Sequence, residues 1–319
     1  MLKKLSVIIP VFNNLASLKE LNEHLYGIKI EIANLGVNLQ IVYVDDGSID
    51  GSWSELNALK SQYSEFIDCI KLSRNFGQLS AMFAGYHHAR KSDAIASISA
   101  DLQDPVHLLV EMTKRWVSGS KLVIAQRESR EDSVLWKLTS KVAYKVLAHD
   151  VPNLPPSGFD VFLMDKKVIE VLLGQTGRRR FLQGDLLLTG FTPEFISYRR
   201  GVRLYGKSQY TLKKRFRNFS DAFFDSSYFL IRTTSRIGLT TILFGIALLV
   251  VLVFSRVSGS YPFEGYVTIL CVILILGGVE IAILGVISEY IWRIYDTLRE
   301  KPMFVVDKIA SRTRKRIDK

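Results

Sequence analysis

Through its first 125 residues the chain alternates short apolar runs with segments of helical composition. Leu5–Phe12, Leu39–Asp45, Phe66–Leu72, Ala94–Ser99 and Lys121–Ala125 are β-rich, and Ser17–Ala33, Gly51–Gln62, Gln78–Arg90 and Pro105–Val117 read as the helices between them. Strands that are apolar almost without interruption are buried on both faces. In an alternating order this means an α/β fold with a mostly parallel sheet flanked by helices. Ligands of such folds bind beyond the carboxyl ends of the strands. Asn13, Asp45, Asp46 and Asp101 all fall at those ends.

The composition changes from about Tyr228. Ile237–Phe254 is apolar and uncharged, and Val267–Ile287 is apolar except for Glu280. The second could span about 30 Å of hydrocarbon as a helix, and the first lies near the short limit of about 18 residues. Joined by Ser255–Tyr266, they read as a transmembrane hairpin whose flanks share one side. Those flanks are basic. No acidic residue lies between Glu194 and Asp221, where Arg199, Arg200, Arg203, Lys207, Lys213, Lys214, Arg215 and Arg217 fall, and Arg312 to Lys319 form a second cluster. The connecting loop offers only Arg256. This asymmetry predicts a multi-pass protein of the inner (plasma) membrane with its globular part and both termini in the cytoplasm. Met1 to Lys4 lead into a first strand and not into a secretory signal.

The net charge of +11 calls for a polyanionic partner, either a lipid head group or a phosphorylated substrate. Nucleic acid is the poorer fit, because the basic stretch adjoins an apolar hairpin and has no RNA-recognition motif. Tyr210–Tyr228 interleaves Phe216, Phe219, Phe223 and Phe224 with lysines and arginines, as an interfacial amphipathic helix would. Glu280 is expensive in a membrane and needs a polar contact, within the hairpin or across a homo-oligomer. Cys69 and Cys271 lie in different segments and define neither a disulfide framework nor a zinc site. Adjacent His87 and His88 would point different ways on a helix, which argues against a metal pair.

Two acidic segments carry the chemistry. In Ser99-Ala100-Asp101-Leu102-Gln103-Asp104-Pro105, the Asp101 carboxylate and the Gln103 amide oxygen could meet one ion from an extended strand end. Hard oxygen ligands suit Mg²⁺ or Mn²⁺, and such an ion can hold a diphosphate. Asp104-Pro105 would open the following helix. In Val44-Asp45-Asp46-Gly47-Ser48-Ile49-Asp50, Gly47 permits a tight turn and Asp50 caps the next helix. The adjacent acids Asp45 and Asp46 suit a nucleoside base or ribose hydroxyl.

Pro10–Asn13, Asp45–Asp50, Arg74–Gly77, Asp101–Pro105 and Gly158-Phe159-Asp160 occur in an order that resembles the family 2 glycosyltransferases. Arg200-x-x-Arg203-x-x-Gly206-Lys207-Ser208-x-Tyr210 extends the match. With its apolar C-terminal segments, the chain is similar to the polyprenyl-phosphate branch of dolichol-phosphate mannose synthases and bactoprenol glucosyltransferases. The resemblance implies a GT-A-like domain over residues 1–209, an interfacial helix over 210–230, the hairpin over 231–295 and a basic cytoplasmic tail over 296–319. It implies inverting transfer of one hexose, with UDP-glucose the expected nucleotide sugar, to undecaprenyl (polyprenyl) phosphate, with a divalent ion on the donor diphosphate. The product would be a sugar donor for cell-envelope glycosylation. By position, Pro10, Asn13, Asp45 and Asp46 would border the nucleoside, and Asp101 and Gln103 would hold the metal. Asp160 would be the general base. Arg200 and Arg203 would meet phosphate, with Lys207 and Ser208 on the loop that closes over it. Two departures stand out. Ser99 replaces the first carboxylate of the usual Asp-x-Asp, and Phe162 stands where Gly-Asp-Phe-Arg relatives carry arginine. The first raises an alternative, a catalytically silent nucleotide-binding membrane subunit. Gln175-Thr176-Gly177-Arg178-Arg179 lacks the tryptophan of processive synthases.

Overall fold

A computed structural model of the chain describes residues 2–128, 151–155, 158–175, 181–201, 265–298 and 302–310, with six single positions between 240 and 258. The strands are β1 (Lys3–Val11), β2 (Val37–Asp45), β3 (Ile67–Leu72), β4 (Ala94–Ser97), β5 (Leu122–Arg127), β6 (Val161–Asp165), β7 (Pro193–Tyr198) and β8 (Val306–Ala310). The helices are α1 (Leu15–Gly27), α2 (Lys29–Asn34), α3 (Ser52–Gln62), α4 (Gln78–Ala89), α5 (Leu108–Val117), α6 (Lys166–Gly174), α7 (Leu182–Leu187) and α8 (Gly265–Leu298). Among the described residues one sheet runs in the order β7-β5-β6-β4-β1-β2-β3-β8.

The first four strands are mutually parallel, β5 and β7 are parallel to each other, and β6 lies antiparallel between β4 and β5. These pairings give β5 and β7 the same direction as β1 to β4. One sheet edge therefore collects the carboxyl ends of six strands and the amino ends of β6 and β8. The parallel centre is buried on both faces: Leu5, Val7, Ile8, Ile9 and Val11 of β1 are fully inaccessible. Helix α4 lies so close to β1 that a Cβ on Gly85 would come within 2.3 Å of Ile8 Cγ2. Helix α5 buries Leu109, Met112 and Trp116, a helical spacing of apolar positions. The Trp116 indole donates to Asp165 (2.9 Å), whose other oxygen caps α6 through the Lys167 amide (3.2 Å).

Three elements depart from the sequence reading. The segment expected as one helix over Ser17–Ala33 divides at Gly27 into α1 and α2, because glycine is a poor helix former and Ile28 is drawn into the core. Helix α5 starts at Leu108 and not Pro105; Pro105 to His107 form the turn that leads into it. Part of the expected basic tail is a strand. Residues Val306–Ala310 pair antiparallel with β3, the Ser73 amide donates to the Val305 carbonyl (3.0 Å), and Met303 and Phe304 pack on the core.

The chain divides into two compact units, residues 1–225 with 302–319, and residues 226–301. In the second unit α8 is a single helix of 34 residues, about 51 Å at 1.5 Å per residue. Ile269, Ile273, Leu284, Ile291 and Ile294 are exposed on it, as is Glu280. Taken over the described residues alone, no helix is long and apolar enough to cross a membrane. Residues 210–230 lie outside the described residues, as do all but four positions of Ile237–Phe254.

Candidate active site

The ends of β1 and β2 are fastened into one corner. Asn13 sits in the left-handed region (φ 54°), an asparagine being among the few residues that accept it at small cost. Its amide donates to Ser48 Oγ (3.0 Å) and its Oδ1 accepts from the Ile49 amide (3.0 Å). Asp50 accepts from the Leu15 and Ser52 amides (both 3.0 Å), which opens α3 and pins the loop after β1. Half-buried Pro10 pairs with Val44 one position before the corner. Gly47, also left-handed (φ 72°), passes directly beneath the next loop: a Cβ there would be 2.6 Å from the Arg74 carbonyl carbon.

The two adjacent acids do different work. Asp46 spends both oxygens on the 74–77 loop, accepting from the amides of Phe76 (2.7 Å) and Gly77 (2.9 Å). It therefore shapes the corner through that loop. Asp45 accepts from the Ser48 amide (3.1 Å), and its buried Oδ2 has no hydrogen-bond partner among the described residues. Burial pushes both carboxyls above the usual carboxylate range. Asp45 is thus the acid with an open acceptor.

The 101–104 segment is a turn and not the extended strand end expected from the sequence. Strand β4 stops at Ser97, Leu102 is left-handed (φ 57°), and the Gln103 amide folds back onto Asp101 Oδ1 (3.3 Å). The Gln103 side-chain amide donates to the Gly201 carbonyl (3.4 Å), so the turn joins Asp101 to the Gln103 backbone and Gln103 to the segment at Gly201. Asp101 is buried to 9% exposure and Gln103 is half-buried. Among the described residues no three His, Cys, Asp or Glu side chains form a metal cluster. One carboxylate and one amide oxygen still match a hard ion that takes its remaining ligands from substrate phosphate and water.

The opposite half of the edge holds a second group of charged residues. Asp160 directly precedes β6 and pairs with Arg127, the last residue of β5. Burial weakens Arg127's hold on its proton, but the Asp160 carboxylate, the Tyr198 hydroxyl and Asp104 together outweigh it, and the pKa rises. Arg127 Nε also points at the Tyr198 hydroxyl (3.5 Å), which donates to Asp104 Oδ1 (2.7 Å). Arg200 Nε lies 3.2 Å from that oxygen, an ion pair without hydrogen-bond alignment. Beside it the Gly201 amide donates to the Gln103 carbonyl (2.8 Å), so the chain that leads toward Arg203 is docked on the 101–104 turn. Arg203, Lys207 and Ser208 themselves lie outside the described residues.

Of the residues singled out from sequence, Pro10, Asn13, Asp45, Asp46, Asp101, Gln103, Asp160 and Arg200 all lie on this edge. Arg127, Tyr198 and Asp104 were missed as site residues. The available signal was positional, since Arg127 and Tyr198 also end strands that run to the same edge. His87 and His88 do point apart: His88 bonds Asp68 (3.1 Å), and the His87 ring lies 5.9 Å from that of Phe304.

Residues 6–203 match the profile of glycosyl transferase family 2. An uncharacterised glycosyltransferase of Synechocystis sp. is 31% identical over 306 residues, 95% of this chain and 94% of that protein. The SfII prophage-derived bactoprenol glucosyl transferase of Shigella flexneri is 31% identical over 315 residues, 96% of this chain and 98% of that one. Among solved structures, a mannosyltransferase of Pyrobaculum calidifontis in complex with GDP-Man and Mn²⁺ superposes with a TM-score of 0.50 at 15% identity. The match covers 69% of this chain and 62% of that one.

Proposed function

Given that the chain belongs to glycosyltransferase family 2, we propose that it moves one hexose from a nucleotide sugar to a polyprenyl phosphate at the cytoplasmic face of the inner membrane. The sugar is glucose, the donor UDP-glucose and the acceptor undecaprenyl phosphate, in keeping with the bactoprenol glucosyl transferases it resembles along nearly its whole length. The observation that carries the reading is the shared sheet edge. A nucleoside corner at Asp45, a diphosphate turn at Asp101 and Gln103, and an arginine-held carboxylate at Asp160 stand along it in that order of strands.

In this mechanism Asp45 takes a hydroxyl or amine of the nucleoside on its open oxygen. Asp46 and Gly47 hold the 74–77 loop as a wall of the same pocket. Asp101 and Gln103 would hold Mg²⁺ or Mn²⁺, which when bound would supply positive charge to the departing diphosphate. A lipid phosphate is already largely anionic, so Asp160 removes at most one proton and mainly orients the acceptor for direct, inverting attack. Arg200, with Arg203, Lys207 and Ser208 farther along the chain, binds phosphate. Ile237–Phe254 and Val267–Ile287 form the membrane hairpin. The second stretch lies inside one unbroken helix with exposed isoleucines, which supports that assignment. Glu280 makes a polar contact in the hairpin or between copies, and nucleic acid is not a partner. A silent subunit, suggested by Ser99, is the weaker reading, because the paired Asp160 and Arg127 serve transfer and not donor binding alone.

The test is nucleoside diphosphate release by membranes containing the protein, with a panel of nucleotide sugars. The reading expects release that depends on undecaprenyl phosphate and is fastest with UDP-glucose. Donor binding with no lipid-dependent release would establish the silent subunit instead.

A further inference from the structure

We propose that Tyr198 and Asp104 are positioning residues: they lock the Arg127 guanidinium beneath Asp160 and so tie the 101–104 turn to the acceptor side. The inference deepens the reading above and rests on Asp160 as the group that orients the lipid phosphate.

The starting point is the contrast in burial along the chain of contacts. The Asp160 side chain is 43% exposed, and its ion-pair partner Arg127 is 8% exposed. A half-exposed carboxylate has many rotamers, so something beneath it must choose one. Arg127 does so only if its own planar fork is held, because a guanidinium aims its donors as a rigid set. Tyr198 supplies that hold. Its hydroxyl lies between Arg127 Nε (3.5 Å) and Asp104 Oδ1 (2.7 Å), accepting from one and donating to the other. Fixing Nε fixes the plane, and the plane directs the Nη2 that meets Asp160. Asp104 in turn anchors the hydroxyl from a fully buried position, and its neighbour Gln103 belongs to the diphosphate turn.

Asp104 also faces the other way. Its Oδ1 lies 3.2 Å from Arg200 Nε, and the Gly201 amide is bonded to the Gln103 carbonyl (2.8 Å). The buried Asp104 carboxylate therefore meets one guanidinium directly, that of Arg200 before the segment of Arg203, and is linked to a second, that of Arg127 beneath Asp160, through the Tyr198 hydroxyl. The four charges of Asp104, Asp160, Arg127 and Arg200 balance. The hydrogen-bonded arm from Asp104 Oδ1 through the Tyr198 hydroxyl to Arg127 fixes what it joins, whereas Asp104 Oδ2 and Arg200 Nε have no hydrogen-bond partner among the described residues. A displacement of the diphosphate turn would pass through Asp104 and Tyr198 to the carboxylate that meets the acceptor.

Tyr198→Phe removes one hydroxyl and leaves the ring that packs on the core. The hydroxyl accepts from a guanidinium and donates to a carboxylate, and its loss is expected to lower the rate about tenfold. The experiment measures kcat at saturating undecaprenyl phosphate, donor KM and thermal melting on the full chain in membranes, for Tyr198→Phe, Arg127→Lys, the pair together, and Asp160→Asn. The expected result is kcat about tenfold lower in Tyr198→Phe with donor KM unchanged and melting lowered by no more than about 10 °C, so that the protein stays folded at the assay temperature. In the Arg127→Lys background, which has no fork to orient, Tyr198→Phe should add nothing. Asp160→Asn should be inactive. Unchanged kcat in Tyr198→Phe, or a full additional loss in the Arg127→Lys background, would each overturn the positioning role while leaving Asp160 in place. An active Asp160→Asn would overturn the reading of Asp160, and this inference with it.

Discussion

Asp45 keeps a buried, unpartnered oxygen where a folded protein gains nothing from one. Burial raises its carboxyl above the ordinary value near 3.9. A raised folded-state pKa contributes stability below the unfolded value and loses it as pH climbs through the folded one. At neutral pH the ionised group is therefore a net cost. Asp45→Asn keeps the acceptor for the Ser48 amide and exchanges a buried charge for a neutral carboxamide. It should raise the melting temperature at pH 7, by roughly 2–4 °C for each kcal/mol recovered, with little difference at pH 4, and it should raise the donor KM. A lower melting temperature at pH 7 would show that the charge is structural. Asp101→Asn should cut turnover by two to three orders of magnitude without unfolding, since one preorganised electrostatic contact is worth roughly 2.7–4 kcal/mol. Near-normal turnover across a range of Mn²⁺ concentrations would remove Asp101 from the diphosphate turn. Asp45 and Asp101 were legible in the sequence because each closes an apolar run. Arg127, Tyr198 and Asp104 were not, because β5, β7 and the turn meet only after antiparallel β6 is inserted, a pairing that no local pattern announces.

At the scale of elements, the apolar runs located the first five strands within two residues or so, since burial on both faces leaves an unambiguous signature. Strand β8 had no such mark. Val306 to Ile309 are exposed and carry Asp307 and Lys308, so the segment reads as tail until β3 supplies its hydrogen bonds. Its position has a consequence for the site. It continues from the Val305 carbonyl that holds Ser73, and Ser73 opens the loop that Asp46 clamps. Its Ala310 also pairs with Cys69, whose thiol lies 3.5 Å from the Leu56 carbonyl of α3 and is pushed up to about 12 by burial. In a Cys271→Ser background, a chain ending at Lys301 should raise the donor KM several-fold and make Cys69 react with a thiol reagent at pH 8. A Cys69 that stays inert in the shortened chain would mean that β8 does not shield this edge of the sheet.

For the whole molecule, the account joins a family 2 glycosyltransferase domain to a membrane hairpin, and each half has its own test. A cysteine at Ser258 should label with an impermeant reagent from outside the cell, and one at Ser311 should not. Labelling of both from one side would refute the hairpin. The charge asymmetry that predicts this arrangement was legible because it needs only counting. The identity of the sugar was not, because hexose discrimination depends on the shape of a pocket assembled from distant loops. The central claim is that this sheet edge transfers a hexose to a lipid phosphate. It is tested most directly by mass spectrometry of undecaprenyl phosphate incubated with UDP-glucose and membranes bearing the native chain or Asp160→Asn. The account predicts a lipid heavier by one hexosyl unit with the native chain and unmodified lipid with the variant. Unmodified lipid in both, with every nucleotide sugar of the panel, would contradict it.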